Sequence, residues 1–158
     1  MSKIDDVKSK ALPVTSGVPQ GTILGPILFN IFLNGVLKIP LNAKNFINAY
    51  ADDLKLFGPP GITLSDDLSK ILLWLSAHGM EVNESKCVVV HFGKNNPRDI
   101  YFINNHKIVP VHQFRDLGIM VDDRLSFSCH VQHVCTSAYK TLNLFFRVFC
   151  SKNGQYIR

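Results

Sequence analysis

Residues 48–58 read NAYADDLKLFG and set two adjacent acids, Asp52 and Asp53, inside an apolar, strand-like run. Phe46, Ile47 and Ala49 precede the pair, and Leu54, Leu56 and Phe57 follow it. The pattern predicts a β-hairpin, FINAYADDLKLFG, with a short Ala-Asp-Asp tip. Aspartate is common at turns and is usually solvated there. Between apolar arms, however, adjacent like charges repel unless something positive sits beside them. Divalent cations meet that need. Nucleotidyl transfer uses two of them, about 3.5–4 Å apart, and a hairpin tip is a rigid mount for the carboxylates that hold them.

Upstream, TSGVPQGTILGP (15–26) packs three glycines and two prolines into twelve residues, which is loop chemistry. From Pro26 the pattern turns helical through Ile27, Leu28, Ile31, Phe32 and Leu33, stopping near Gly35 to Pro40. Downstream, SDDLSKILLWLSAHG (65–79) predicts an amphipathic helix with Ser65 as N-cap and Asp66 and Asp67 in its first turn. Leu68, Ile71, Leu72 and Leu75 form its apolar face, and Gly79 lies past its end. CVVVHFG (87–93) reads as a buried strand, and IYFINNHKI (100–108) as a hairpin turning at Asn104-Asn105. FRDLGIMVD (114–122) reads as one further strand, closing near Asp122-Asp123. A long helix follows from about Ser128. Val131, Val134, Ala138, Leu142, Phe145 and Phe149 make its apolar stripe, with His133, Lys140 and Arg147 on the opposite face. The expected fold class is α+β.

The 158 residues suit one ordinary domain, or the larger part of one. With 46% hydrophobic and 18% charged residues, the composition excludes a disordered chain. The net charge of +5 favours a polyanionic partner, although solubility alone accounts for it. From Ser126 onward there are Lys140, Arg147, Lys152 and Arg158 and no acid, whereas carboxylates cluster at Asp5/Asp6, Asp52/Asp53, Asp66/Asp67 and Asp122/Asp123. Such segregation suits a protein that holds phosphates and metal ions in different places. Cys87, Cys129, Cys135 and Cys150 form no C-x-x-C pair, and MSKIDDVKSK (1–10) lacks the apolar core of a signal peptide. The longest apolar run, GTILGPILFNIFLNGVLKIP (21–40), is too interrupted to span a bilayer. A reduced, intracellular setting, nuclear or cytoplasmic, is expected.

NAYADDLKLFG resembles the Tyr-x-Asp-Asp motif of reverse transcriptases, in the form typical of non-LTR (LINE-type, jockey-like) retrotransposons. Four further stretches agree in order. SGVPQGTILGPILFNIFLNGV looks like the motif B loop and helix, and WLSAHGMEVNESKCVVVHFG is similar to the motif D region. RDLGIMVDDRLSF resembles the Leu-Gly motif of the palm's last strands, and HVQHVCTSAYKTLNLFFRVF looks like the start of the thumb. The resemblance implies a partial palm, an antiparallel sheet with packed helices, over residues 15–125. A helical thumb segment over 126–158 would follow it, with a flexible N-terminus over 1–14. It implies RNA-directed DNA polymerase chemistry on an RNA template, a DNA primer and deoxynucleoside triphosphates.

Residue by residue, the resemblance makes Asp52 the principal Mg²⁺ ligand and Asp53 its neighbour. Tyr50 and Ala51 would line the floor under the primer terminus. Pro19, Gln20 and Gly21 would hold the template base and incoming nucleotide; on their own, Gly17, Gly21 and Gly25 read as a turn into a helix. Lys86 would be the general acid that protonates the departing pyrophosphate, or else an exposed lysine opening a strand. Leu117 and Gly118 would position the primer strand. His133, Lys140 and Arg147 would track the duplex backbone without sequence preference, or form a solvated helix face. Cys129, His130, His133 and Cys135 read as packing, with Cys135 on the apolar stripe, rather than as a zinc site.

The same family carries another catalytic aspartate in a Phe-x-x-x-Asp pattern before the glutamine loop, and residues 1–15 hold nothing like it. The expectation is weak or absent Mg²⁺ binding, no catalysis by this chain alone, and the upstream half of the polymerase as partner. The alternative is a non-catalytic remnant, at most a weak nucleic-acid binder. Gly35 also departs from the family, which commonly has Asp there; the expected effect is confined to the helix end.

Overall fold

The computed structural model describes residues 3–4, 7–8, 17 and 21–149. The chain forms two compact units, Met1–Glu81 and Val82–Arg158. In the first, β1 (Lys3–Ile4) and β2 (Val7–Lys8) make a two-rung antiparallel ladder. Next come α1 (Leu24–Leu33), a 3₁₀ turn at Val36–Lys38, β3 (Phe46–Tyr50), β4 (Asp53–Phe57) and α2 (Ile62–Ala77). In the second, a 3₁₀ turn at Glu84–Lys86 precedes β5 (Val88–Val89), β6 (Phe102–Ile103), β7 (His106–Lys107) and β8 (Val109–Pro110). Then follow β9 (Gln113–Asp116), β10 (Ile119–Asp122) and α3 (Ser128–Phe149). Mixed helix and strand was expected. An antiparallel sheet with packed helices was also expected; among the described residues the strands form two-stranded sheets, all antiparallel except the parallel β5–β8 pair.

Helix α1 opens two residues before the expected Pro26. The Thr22 hydroxyl accepts the Gly25 N–H at 3.1 Å, satisfying one of the free donors of the first turn. Helix α2 likewise begins at Ile62 rather than after Ser65, because Gly61, at φ +131°, turns the chain out of Pro59-Pro60 into the helix. Its far end matches expectation. Gly79 sits at φ +68°, its N–H bonds the Ser76 carbonyl and the Met80 N–H bonds Leu75, which is a Schellman closure.

Leu33, Val36, Ile71 and Leu75 form the core of the first unit. Beside it the Trp74 ring lies against Phe32 (centroids 6.0 Å apart) and stacks on His78 at 3.9 Å. A Cβ at Gly35 would come within 2.6 Å of the Trp74 ring. The glycine therefore does more than end a helix, because it makes room for the indole. Gly35→Asp, the residue common in the resembling family, is expected to lower stability by about 1–3 kcal/mol. Urea unfolding followed by Trp74 fluorescence measures this, and an unchanged midpoint would contradict the packing argument.

In the second unit, CVVVHFG is not the buried strand expected. Only Val88 and Val89 pair, with Val109 and Pro110, and Val88 and Phe92 are exposed. Pro110 has no N–H to extend the ladder. Asn104 and Asn105 turn the β6–β7 hairpin at φ +46° and +69°, as expected. FRDLGIMVD is not one strand but the β9–β10 hairpin, reversed at Leu117 (φ +45°) and Gly118 (φ +92°). The Asp122 carboxylate accepts the Arg124 and Ser126 N–H groups and the Ser126 hydroxyl, closing the turn before α3. Those Ser126 bonds hold its carboxyl below the usual range.

Helix α3 spans Ser128–Phe149 as predicted, and the Met120 N–H bonds His130 Nδ1 at 3.3 Å to join it to β10. None of its residues is buried. Cys135, expected to be packed on the stripe, is exposed, because nothing described covers that face.

Candidate active site

The hairpin is built as the alternation of residues 46–57 dictates. Phe46 pairs with Phe57, Ile47 with Leu56, Ala49 with Leu54 and Tyr50 with Asp53. The connecting loop is therefore only Ala51-Asp52, with Ala51 at φ +50°, and Asp53 is the first residue of β4 rather than part of the tip. Two-residue loops with a positive φ suit the twist of paired strands. The Phe46 and Phe57 rings stack at the ladder's open end, centroids 5.7 Å apart.

Both acids are exposed, as are Tyr50 (64%) and Ala51. Water solvates them at the end of the ribbon, which is why two like charges are tolerated there. Their oxygens are hard donors on a fixed backbone, the type Mg²⁺ takes one or two of alongside waters and substrate phosphates. Asp52 and Asp53 thus fit as part of a magnesium site. Among the described residues, no group of three or more His, Cys, Asp or Glu could hold a metal ion.

The base of the hairpin is held by a buried carboxylate that local sequence marks only as an acid of the expected first turn of α2. Asp67 is wholly buried. Its oxygens accept the Asn42 N–H (2.8 Å), Asn42 Nδ2 (2.9 Å), Asn45 Nδ2 (2.8 Å) and Lys70 Nζ (2.7 Å). Burial works against the charge, yet the bonds from Lys70, Asn45 and Asn42 outweigh it and hold the carboxyl well below the usual carboxylate range. Asn45 also donates to the Thr63 carbonyl, so the residue that leads into β3 is clasped to α2. Among the described residues the buried Asn45 Oδ1 finds no hydrogen-bond donor, and a Cβ at Gly58 would run into it. Nothing in the isolated LNAKN stretch marks these asparagines, since their partner is more than twenty residues away.

Of the other expected site residues, Pro19 and Gln20 lie outside the described residues. Gly21 is exposed at φ +79°, with open space where a Cβ would stand. Lys86 is the exposed last residue of the Glu84–Lys86 turn, and Asn104 Nδ2 and His106 Nδ1 both reach the Glu84 carboxylate, at 2.9 and 2.6 Å. Leu117 and Gly118 form the exposed β9–β10 turn. His133, Lys140 and Arg147 are exposed on α3. The structure thus brings together Tyr50, Ala51, Asp52 and Asp53 on one turn. Lys86, Leu117, Gly118 and the α3 cations belong to the other unit.

The family profile described as reverse transcriptase (RNA-dependent DNA polymerase) matches residues 2–121. Among similar proteins is the RNA-directed DNA polymerase from mobile element jockey of Drosophila melanogaster. It is 27% identical over 150 residues, covering 87% of this chain and 16% of that protein. The jockey polymerase of Drosophila funebris is 29% identical over 80% of this chain and 15% of its own length. A Pol polyprotein from the type-2 retrotransposable element R2DM of D. melanogaster is 36% identical over 54% of this chain and 9% of its own length. The chain therefore spans about a sixth of the length of the jockey relatives it matches. No solved structure matches it. Among the described residues, no helix is long and apolar enough to cross a membrane.

Proposed function

Because the chain belongs to the reverse transcriptase (RNA-dependent DNA polymerase) family, in its non-LTR retrotransposon form, we propose that the β3–β4 hairpin contributes carboxylates to templated deoxynucleotidyl transfer. The observation that carries this reading is the adjacent Asp52 and Asp53 at a two-residue turn whose base is clasped by Asp67. Asp52 and Asp53 would hold Mg²⁺, which when bound supplies charge neutralisation at the phosphates and activation of the attacking hydroxyl. Tyr50 and Ala51, flanking the acids, would support the primer end. Lys86 would deliver a proton to the pyrophosphate leaving group, with Glu84, gripped by Asn104 and His106, steadying its turn. Leu117 and Gly118 would lie along the primer, Gln20 and Gly21 at the nascent base pair, and His133, Lys140 and Arg147 along the phosphate backbone. Residues 15–125 would be palm and the segment from 126 the start of a thumb. RNA template, DNA primer and deoxynucleoside triphosphates are the substrates of this reading.

A second reading, a non-catalytic remnant that binds nucleic acid weakly, is favoured by the donor set. Among the described residues the two carboxylates have no third ligand beside them. Manganese titration followed by NMR separates the two. Under the first reading, Mn²⁺ broadens the Tyr50–Leu54 amides selectively, and Asp52→Asn with Asp53→Asn removes the effect. Broadening spread evenly over the exposed acids would leave the remnant reading standing.

A further inference from the structure

A cavity of about 320 Å³ opens within the Val82–Arg158 unit, lined by residues of β5, β7 and β8 and by the Arg98–Ile100 segment. Val89, Ile100, Ile108, Pro110 and Val111 supply apolar wall, and that volume is at the lower end of the range for small-ligand sites, roughly 300–1,000 Å³. The charged groups on the wall are Arg98, Lys107, Asp99 and Asp123, together with His91 and His112. Asp123 is engaged by His112 Nδ1 at 2.8 Å. Among the described residues, neither the Arg98 guanidinium nor the Lys107 ammonium has an ion-pair partner. Arg98 is also held at φ +59°, its N–H bonded to Asn96 Oδ1 at 2.9 Å, a conformation unusual for a residue with a Cβ.

We propose that this cavity seats a phosphodiester group of a nucleic-acid strand, with Arg98 and Lys107 donating to its oxygens. Both side chains are donors only, and the planar guanidinium fork matches two oxygens of a phosphate. Asp99, on the same wall, repels a bare multivalent anion but accepts a hydrogen bond from a sugar hydroxyl, so a sugar-phosphate unit suits the lining better than free phosphate. None of these residues belongs to the β3–β4 hairpin, so the anion site goes beyond the polymerase reading, although the choice of a nucleic-acid strand as its occupant rests on that reading.

The test is binding of a fluorescein-labelled 16-nucleotide single-stranded RNA, read by anisotropy across a salt series. Arg98→Gln/Lys107→Gln is compared with the charge-matched Lys94→Gln/Arg115→Gln, whose residues lie off the cavity wall, with thermal melts confirming that both fold. The cavity variant is expected to bind about tenfold more weakly, and its log K against log salt slope to shrink by about 1.4, some 0.7 for each lost contact. The control should change by much less. A parallel titration with inorganic phosphate, followed at the Val111 and His112 amides, distinguishes the source of the anion. If the cavity variant loses phosphate binding but keeps RNA affinity, the site takes free phosphate rather than a strand. If the two double variants weaken RNA binding equally, or the cavity variant keeps both RNA and phosphate binding, the cavity is not a phosphate site.

Discussion

Replacing Asp67 with alanine is expected to lower the stability of the Met1–Glu81 unit by about 3 kcal/mol, because it strands the Asn42 N–H and leaves Asn45 Nδ2 with the Thr63 carbonyl alone. The Asn42 N–H and Asn45 Nδ2 would lose a fully buried partner, whereas Lys70, whose side chain is 43% exposed, would return to water. At roughly 4 °C per kcal/mol, the melting temperature should fall by about 12 °C. The neighbouring Asp66→Ala, at an exposed position, should stay within about 0.5 kcal/mol of the parent. The acid response follows from the same carboxyl. Its folded pKa is depressed, so its stabilisation is fully present above the unfolded value near 3.9 and is lost as pH falls below that toward the folded value. Urea midpoints measured from pH 6 down to pH 3 should therefore decline less steeply for Asp67→Ala than for the parent. Parallel declines would remove the clasp from the account of this fold.

The second large effect concerns Asp52. Exchanging the matching segment of the D. melanogaster jockey polymerase for this chain gives a chimera in which primer extension on an RNA template can be measured. Asp52→Ala in that chimera is expected to lower the extension rate by about 10³-fold or more, a loss of roughly 4 kcal/mol of transition-state stabilisation. Asp53→Ala should cost less, since Asp53 sits within the ladder opposite Tyr50 while Asp52 occupies the turn itself. Lys86→Ala should lower the extension rate by about 10²-fold, the lower end of what a lost general acid costs. An active chimera indifferent to Asp52→Ala would overturn the role given to the hairpin. The chain alone is expected to yield no Mg²⁺-dependent product.

Local patterns carried much of the architecture. The alternation through FINAYADDLKLFG specified both arms of the hairpin, the 3.6-residue recurrence of Leu68, Ile71, Leu72 and Leu75 specified α2, and Asn104-Asn105 specified a turn that needs positive φ twice. These succeeded because backbone sterics and face periodicity act over a few residues. The failures share one cause. Leu117-Gly118 reverses the chain although leucine gives no sign of a left-handed turn, and CVVVHFG pairs over two residues because, among the described residues, β8 alone pairs with it. Neither the length of a ladder nor the partner of a side chain is written in a short window.

From its sequence alone, this protein declares its family, its ordered motifs and an acidic turn of the type that magnesium chemistry uses. Periodicity and residue chemistry are enough for that. Tertiary structure alone decided that Asp67 is a buried clasp rather than a surface acid, that Trp74 leaves room only for glycine at position 35, and that Arg98 and Lys107 share a cavity. Each depends on groups distant in sequence meeting in space, where burial and the count of hydrogen-bond partners, rather than local propensity, set the energy.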